Sequence, residues 1–518
     1  MNLAVEFKGI SKAFDQVRAN SDLCLSVKKG SIHAIIGENG AGKSTAMKIL
    51  YGIYPPDEGD IYVDGKLWGG KESWSSPSDA ISCGIGMVHQ HFMLGGPYSV
   101  LDNILLGVET ARKGWRWLPP ALRPMDKISA KKKLDQISDQ FGLHVDWHAR
   151  VESLSVGVQQ RIEILKLLYR DAKILILDEP TAVLTPQETV ELFGYLRKLA
   201  DQGKTVIIIT HKLKEVMSLA DRVTVFRAGH VVGEREIQAT DVEDLATLMV
   251  GRKVNLKGEA PTSSVSDQPV LELKNVSVGE GKHRLQNLNF KVHSGEIVGI
   301  SGVEGNGQSD LIQLLMHPKS HFTQLKGTIR LLGNDVEHLT SREVKDLGMG
   351  VIPDDRHRDG LILDWPVSDN FLLALQRRKP FYRYGLISSE KLEKATARVL
   401  EAYDIRPRST KLPISALSGG NQQKLVIARE FEYSPRFLIA AQPTRGVDVG
   451  AIEFIHKKIL DARSRGSGVL LISSELDEIL ALSDRILVMY EGKIVAEFKR
   501  GEVNEKALGL RMGGEAHV

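Results

Sequence analysis

The stretch GENGAGKS, Gly37 to Ser44, follows the apolar run Ile32 to Ile36 and precedes the helically spaced AMKILYG. Glycine, four residues, glycine, lysine and a hydroxyl residue form a phosphate-binding loop when a strand runs in and a helix runs out, which is the context here. The glycines let backbone N–H groups wrap phosphate oxygens, Lys43 adds a point charge for the outer phosphates, and Ser44 can hold Mg²⁺. The predicted nucleotide loop is Gly37, Glu38, Asn39, Gly40, Ala41, Gly42, Lys43, Ser44 and Thr45.

Working outward, short apolar runs recur between stretches of helical spacing: HAIIG, ILILD, VIIIT and VTVF. This is the pattern of buried parallel strands covered by helices, an α/β fold. Asp178 ends ILILD, so it is expected to emerge at a strand's carboxyl end beside the loop, where it can hold Mg²⁺ directly or through water. Glu179 is one residue further on, points differently, and can act as general base on an attacking water. His211 follows VIIIT at another strand tip, and Gln90 follows GIGMVH; alone, each is as well explained as an ordinary structural residue. Phe14 fits either a stack on an adenine ring or a place in the core.

The 518-residue chain repeats itself. Asp178 and Ala441, Leu154 and Leu417, and His211 and Ser474 are each 263 residues apart, which marks a duplicated domain rather than a solenoid of short repeats. The expected division is 1–251, a linker at 252–269 rich in Pro, Ser and Thr, and 270–518, opening on VLELKNVSV. The copies differ. Where ILILDEP has Asp178 and Glu179, FLIAAQP has Ala441 and Gln442, and GVEGNGQS places Gln308 where the lysine belongs.

Composition excludes several classes. A formal charge of +3 gives no general reason to expect a nucleic-acid partner. One local exception runs from Arg112 to Lys133, with eight Lys or Arg against Asp126 and with Trp115 and Trp117 interleaved; it reads as a solvated insertion or as a contact with anionic lipid or a membrane partner. Two cysteines, Cys24 and Cys83, suit a reducing compartment and no disulfide framework. No run approaches the roughly 20 apolar residues of a spanning helix, so a soluble chain is expected, with any membrane role needing another subunit.

LSVGVQQR and LSGGNQQK each place a serine and a glycine ahead of a helical pattern, where free N–H groups can receive phosphate. In the order GENGAGKS, Gln90, LSVGVQQR, ILILDEP, His211, these motifs resemble the ATP-binding subunits of ABC transporters, and the match covers nearly the whole chain in two passes. The resemblance implies two tandem P-loop NTPase domains, each with a mainly parallel sheet, a helical subdomain and an antiparallel β subdomain. It also implies head-to-tail pairing, in which one domain's loop and the other's signature sandwich each ATP with Mg²⁺. On that pattern Lys43, Ser44, Gln90, Asp178, Glu179 and His211 face Ser418, Gly419 and Gly420 in one intact site. The other site carries Gln308, Asp354 for Gln90, Ala441, Gln442, Ser474 for His211, and Val156 in place of a signature glycine. Thr185 stands where many members have Asp, which Asp448 retains.

Within the family, a tandem chain with a weakened second site resembles importers of simple sugars and nucleosides, and LSVGVQQRIEILKLLYR, EPTAVLTPQE and GVEGNGQS look closer to the nucleoside branch. The implied activity is an ATPase that drives transport. Its partners would be a transmembrane permease and, through it, a substrate-binding protein, at the cytoplasmic face of the inner membrane. Two rival readings are a soluble tandem ATPase acting in translation and a regulatory sensor that only switches on nucleotide. The roughly 20-residue linker and the broken second site weigh against the first, and intact Glu179 and His211 against the second.

Overall fold

The computed structural model describes residues 2–14, 17–70, 76–89, 92–109, 125–181, 184, 186–253, 265–279, 285–303, 305–321, 324–377, 381–383, 386–432 and 434–512. Gln90, Thr185, Arg112 to Arg123 of the basic stretch and most of the 252–269 linker lie outside these residues. The chain divides into two compact units, Met1–Val254 and Asn255–Val518.

In the first unit the four apolar runs become strands Ile32–Gly37, Ile174–Asp178, Thr205–Ile209 and Arg222–Arg227, parallel to one another. The sheet runs in the order His230–Glu236, Arg222–Arg227, Ile32–Gly37, Thr205–Ile209, Ile174–Asp178, Ile85–Val88, and its first strand is the antiparallel edge. Every residue of Ile32–Gly37, Ile174–Asp178 and Thr205–Ile209 is buried, because helices cover one face and an antiparallel sheet with the helix after the loop covers the other, leaving no polar side for alternation. This order sets three adjacent strands with their carboxyl ends together, the position at which ligands bind in parallel sheets.

A four-stranded antiparallel sheet, Val17–Lys28, Leu3–Phe14, Glu58–Val63 and Lys66–Gly70, packs Val5, Phe7, Ile10 and Leu23 into one core with Met47 and Ile49 of the helix after the loop. The helices Val100–Leu105, Lys127–Phe141 and Val156–Tyr169 form a second core with Leu175 and Leu177 of the sheet. The final helix, Val242–Val250, ends on Gly251 in the left-handed conformation that favours glycine.

The second unit repeats the plan. Its six-stranded sheet runs Met349–Ile352, Phe437–Ala441, Gly468–Ile472, Ile297–Ser301, Arg485–Tyr490, Lys493–Lys499, and its antiparallel sheet opens on Pro269–Val278. Register is also conserved between copies: Asp178 pairs with Ile209, and Ala441 with Ile472. Tyr382–Arg383 and Leu386–Ile387 pair as a short antiparallel hairpin. Among the described residues no helix is long and apolar enough to cross a membrane.

Candidate functional site

The loop of the first unit is shaped by backbone that side chains would obstruct. Gly42, with φ of 96°, caps the helix Lys43–Leu50, and a Cβ there would lie 2.3 Å from the Ala19 carbonyl oxygen. Gly40, φ 81°, has open space where a Cβ would stand, leaving a concave surface of amides at a helix N-terminus. Lys43 is buried and folds back over the loop, its Nζ donating to the carbonyls of Gly37 at 2.7 Å and Glu38 at 3.0 Å. The ammonium therefore lies over the hollow that the amides line.

Two carboxylates reach this hollow from the neighbouring strand. Asp178 ends Ile174–Asp178, is buried, and accepts a hydrogen bond from Ser44 Oγ at 3.3 Å. Burial pushes its carboxyl above the ordinary range, with the Ser44 bond working the other way. A hydroxyl and a desolvated carboxylate facing each other are oxygen donors for a hard cation, and Mg²⁺ is commonly held by one or two protein oxygens together with substrate phosphates. The residues present fit Mg²⁺.

Glu179 departs from the strand with φ of 48°, a left-handed conformation uncommon for residues other than glycine. Its N–H still donates to Ile209 at 2.9 Å, so the turn carries its side chain beside the residues after the Thr205–Ile209 strand. There His211 Nδ1 lies 3.0 Å from Glu179 Oε1. An ionised carboxylate can only accept, so Nδ1 carries the hydrogen. That bond is the main reason Glu179 titrates below the usual carboxylate range, against the opposing effect of burial. The result is a positioned, ionised base close to a buried ammonium.

Phe14 is not a core residue: it is 39% exposed, with its ring edge-on to Tyr54 at 5.1 Å and Lys12 Nζ 5.6 Å from its centroid. Gln90 lies outside the described residues, as does Thr185.

The same scaffold carries different side chains in the second unit. Gly305 and Gly307 keep positive φ, 95° and 107°. Gln308 Nε2 donates to Val303 O at 3.2 Å, the carbonyl that matches Lys43's contact with Glu38. Gln442 repeats the left-handed turn, φ 44°, and its N–H donates to Ile472 at 2.7 Å. Its amide oxygen accepts from both the N–H and the hydroxyl of Ser474, each at 3.2 Å. A neutral amide and hydroxyl thus replace the carboxylate and imidazole in the same geometry. Ala441 is fully buried and offers no oxygen donor in its side chain.

The two signatures also differ. Ser418 caps the helix Gly419–Phe431, and its hydroxyl accepts from Asn421 Nδ2 at 3.0 Å. Arg356 Nη2 would stand 2.8 Å from a Cβ on Gly419, and Arg356 Nη1 donates to Arg445 O at 2.8 Å. Ser155 has the same backbone at the head of Val156–Tyr169, but its side chain makes no cap hydrogen bond. Val156 is 37% exposed in the first helical position. Sequence reasoning missed Asn421, Arg356 and Arg445; the differences between copies, Asn421 against Val158 and Arg445 against Ala182, were the available signals.

A phosphate loop, a strand-end Asp–Glu pair and a histidine on adjacent parallel strands define a P-loop nucleotide-hydrolysing protein, present here in two copies of unequal chemistry. A family profile described as ABC transporter matches residues 21–182 and 285–445. The chain belongs to the ABC transporter family, as a tandem ATP-binding subunit and an ATPase. It is 45% identical over 99% of its length to 98% of the guanosine import ATP-binding protein of Bacillus subtilis. Identity is 43% over 98% of both chains to a nucleoside import ATP-binding protein of Lactococcus lactis, and 42% over 99% of this chain and 96% of the relative to a glucose import ATP-binding protein of Haloferax volcanii.

Proposed function

We propose that the chain powers a nucleoside importer, with one competent ATP site and one degenerate site, docked on a permease that receives substrate from a binding protein at the cytoplasmic face of the inner membrane. The observation that supports this best is the unequal pair of sites: Lys43, Asp178, Glu179 and His211 form a complete hydrolytic set in one unit, while Gln308, Ala441, Gln442 and Ser474 occupy the same backbone positions in the other. The nucleoside assignment draws on the 45% and 43% identical relatives, both named for nucleosides.

In this reading Gly37 to Thr45 wrap the phosphates of ATP, and Phe14 offers a partly exposed ring to the adenine. Lys43 holds the outer phosphate oxygens. Ser44, Asp178 and Gln90 would hold Mg²⁺, which would supply positive charge to the phosphates. Glu179, kept ionised and aimed by His211, orients water and accepts its proton. Ser418, Gly419 and Gly420 close this site from the second unit's signature. Under that head-to-tail assignment all the losses of function gather in the other site, opposite Ser155; if each unit used its own signature, both sites would be defective.

Co-purification from detergent extract tests the proposal. A permease should accompany the chain, and a nucleoside-loaded binding protein should stimulate ATP hydrolysis by the reconstituted complex. Stimulation by a simple sugar instead would reassign the substrate. Ribosomes in place of a permease would overturn the transport reading.

A further inference from the structure

Resting on the reading of the second unit as a degenerate nucleotide site, we infer that its loop binds a nucleoside triphosphate as the metal-free anion, with Arg445 supplying the positive charge that Lys43 supplies in the first unit. The cradle is preserved: Gly305 and Gly307 hold positive φ, nothing lies within 4 Å of a Cβ on Gly305, and the nine-residue helix Gln308–Met316 starts at Gly307. Its amides and dipole favour an anion there.

A second observation points to a ligand. Gln308 is only 9% exposed, and its Oε1 is buried without a hydrogen-bond partner. It borders a cavity lined also by Gly302, Ser309, Asp354, Gln442 and Arg445. An orphaned buried acceptor is costly and calls for a donor. A guanidinium presents five N–H groups, so Arg445 drawn onto a phosphate can bond the anion and meet this oxygen together.

The donor set does not fit Mg²⁺. Where the first unit has Asp178 bonded to Ser44, the second has Ala441 and Ser309 at the corresponding positions, and where Glu179 stands it has a neutral amide. Among the described lining residues Asp354 is the one carboxylate, and it is already engaged, accepting from the Asp355 N–H at 2.9 Å and pairing with Arg358 at 3.6 Å. The position 263 residues before Arg445 is Ala182, so this cation is gained in the copy that lost its lysine. Charge balance thus changes in one sense: a metal-organising pair of acids and a lysine are gone, and an arginine suited to direct phosphate binding is present.

The test is titration of full-length Lys43→Ala protein with a fluorescent ATP analogue, with Mg²⁺ or with EDTA. Thermal unfolding without nucleotide first establishes that each variant is folded. Loss of hydrolysis on Lys43→Ala, measured separately, checks the parent reading of the first site. The expected result is one nucleotide bound per chain, with affinity in EDTA within about twofold of that in Mg²⁺. Adding Arg445→Ala should weaken binding in EDTA by at least about tenfold, whereas Asp354→Asn, which removes a like charge from the cavity lining, should strengthen it. Binding that vanishes in EDTA and is lost in Asp354→Asn would show a metal site built on that aspartate and overturn the inference. No binding in either buffer would overturn it too, even with the first site's hydrolysis intact in wild type.

Discussion

Glu179 Oε1 accepts a hydrogen bond from His211 Nδ1 at 3.0 Å, across a left-handed turn that Gln442 and Ser474 reproduce with neutral groups. The backbone of the hydrolytic site has been retained where its charges have not. Strain at a non-glycine residue persists only where surrounding structure enforces it, and here the enforcing contact is the N–H bond to Ile209 or Ile472.

His211→Ala removes the main cause of Glu179's lowered pKa while leaving its burial. The carboxylate should then take up a proton at higher pH, so the acid limb of the ATPase rate profile should move to higher pH. The plateau should also fall, by about 10²-fold, because the base is no longer held in place. A pH–rate profile checks both; an unmoved acid limb would mean the imidazole does not control Glu179.

Much of this was legible in the sequence. Ile32–Gly37, Ile174–Asp178 and Thr205–Ile209 announced themselves because strands buried on both faces need unbroken aliphatic runs. The loop was legible because few residue types tolerate its backbone. Positive φ at Glu179 was not, since nothing in Asp-Glu-Pro specifies it; it is imposed by the adjacent strand. Nor was the place of Arg445 beside Gln308, which are far apart in sequence and meet only through the sheet order. The sequence does not choose between the two roles of Phe14, and its exposure removes the core one.

Glu179→Gln should nearly abolish steady-state hydrolysis while retaining ATP binding, a loss of about 10² to 10⁴ in rate for a removed general base. Hydrolysis assays beside nucleotide binding separate the two effects. Turnover within a few-fold of wild type would remove Glu179 from that role.

Gln442→Glu should leave turnover almost unchanged, since Gln308, Ala441 and Ser474 still lack the required charges and groups that act as a unit are not rescued singly. A large gain in steady-state rate would mean the second site is nearly competent.

Asn421→Val installs the residue found at the corresponding place in the first unit and deletes the side-chain bond to Ser418 Oγ, leaving the longer one from its backbone N–H. Turnover should fall several-fold with the fold intact, as read by hydrolysis and thermal unfolding. An unchanged rate would show that the hydroxyl needs no such support.

A paired substitution tests most directly the proposal that the second unit's signature serves the first unit's loop. Ser418→Arg and Ser155→Arg place the same bulk and charge at the two helix starts. With both variants shown to unfold normally in the absence of nucleotide, Ser418→Arg should lower ATP hydrolysis by at least about tenfold, a loss of roughly 1.4 kcal/mol of transition-state stabilisation, and Ser155→Arg should cost much less. An inactive Ser155 variant beside an active Ser418 variant would contradict the account, because each loop would then be using its own unit's signature.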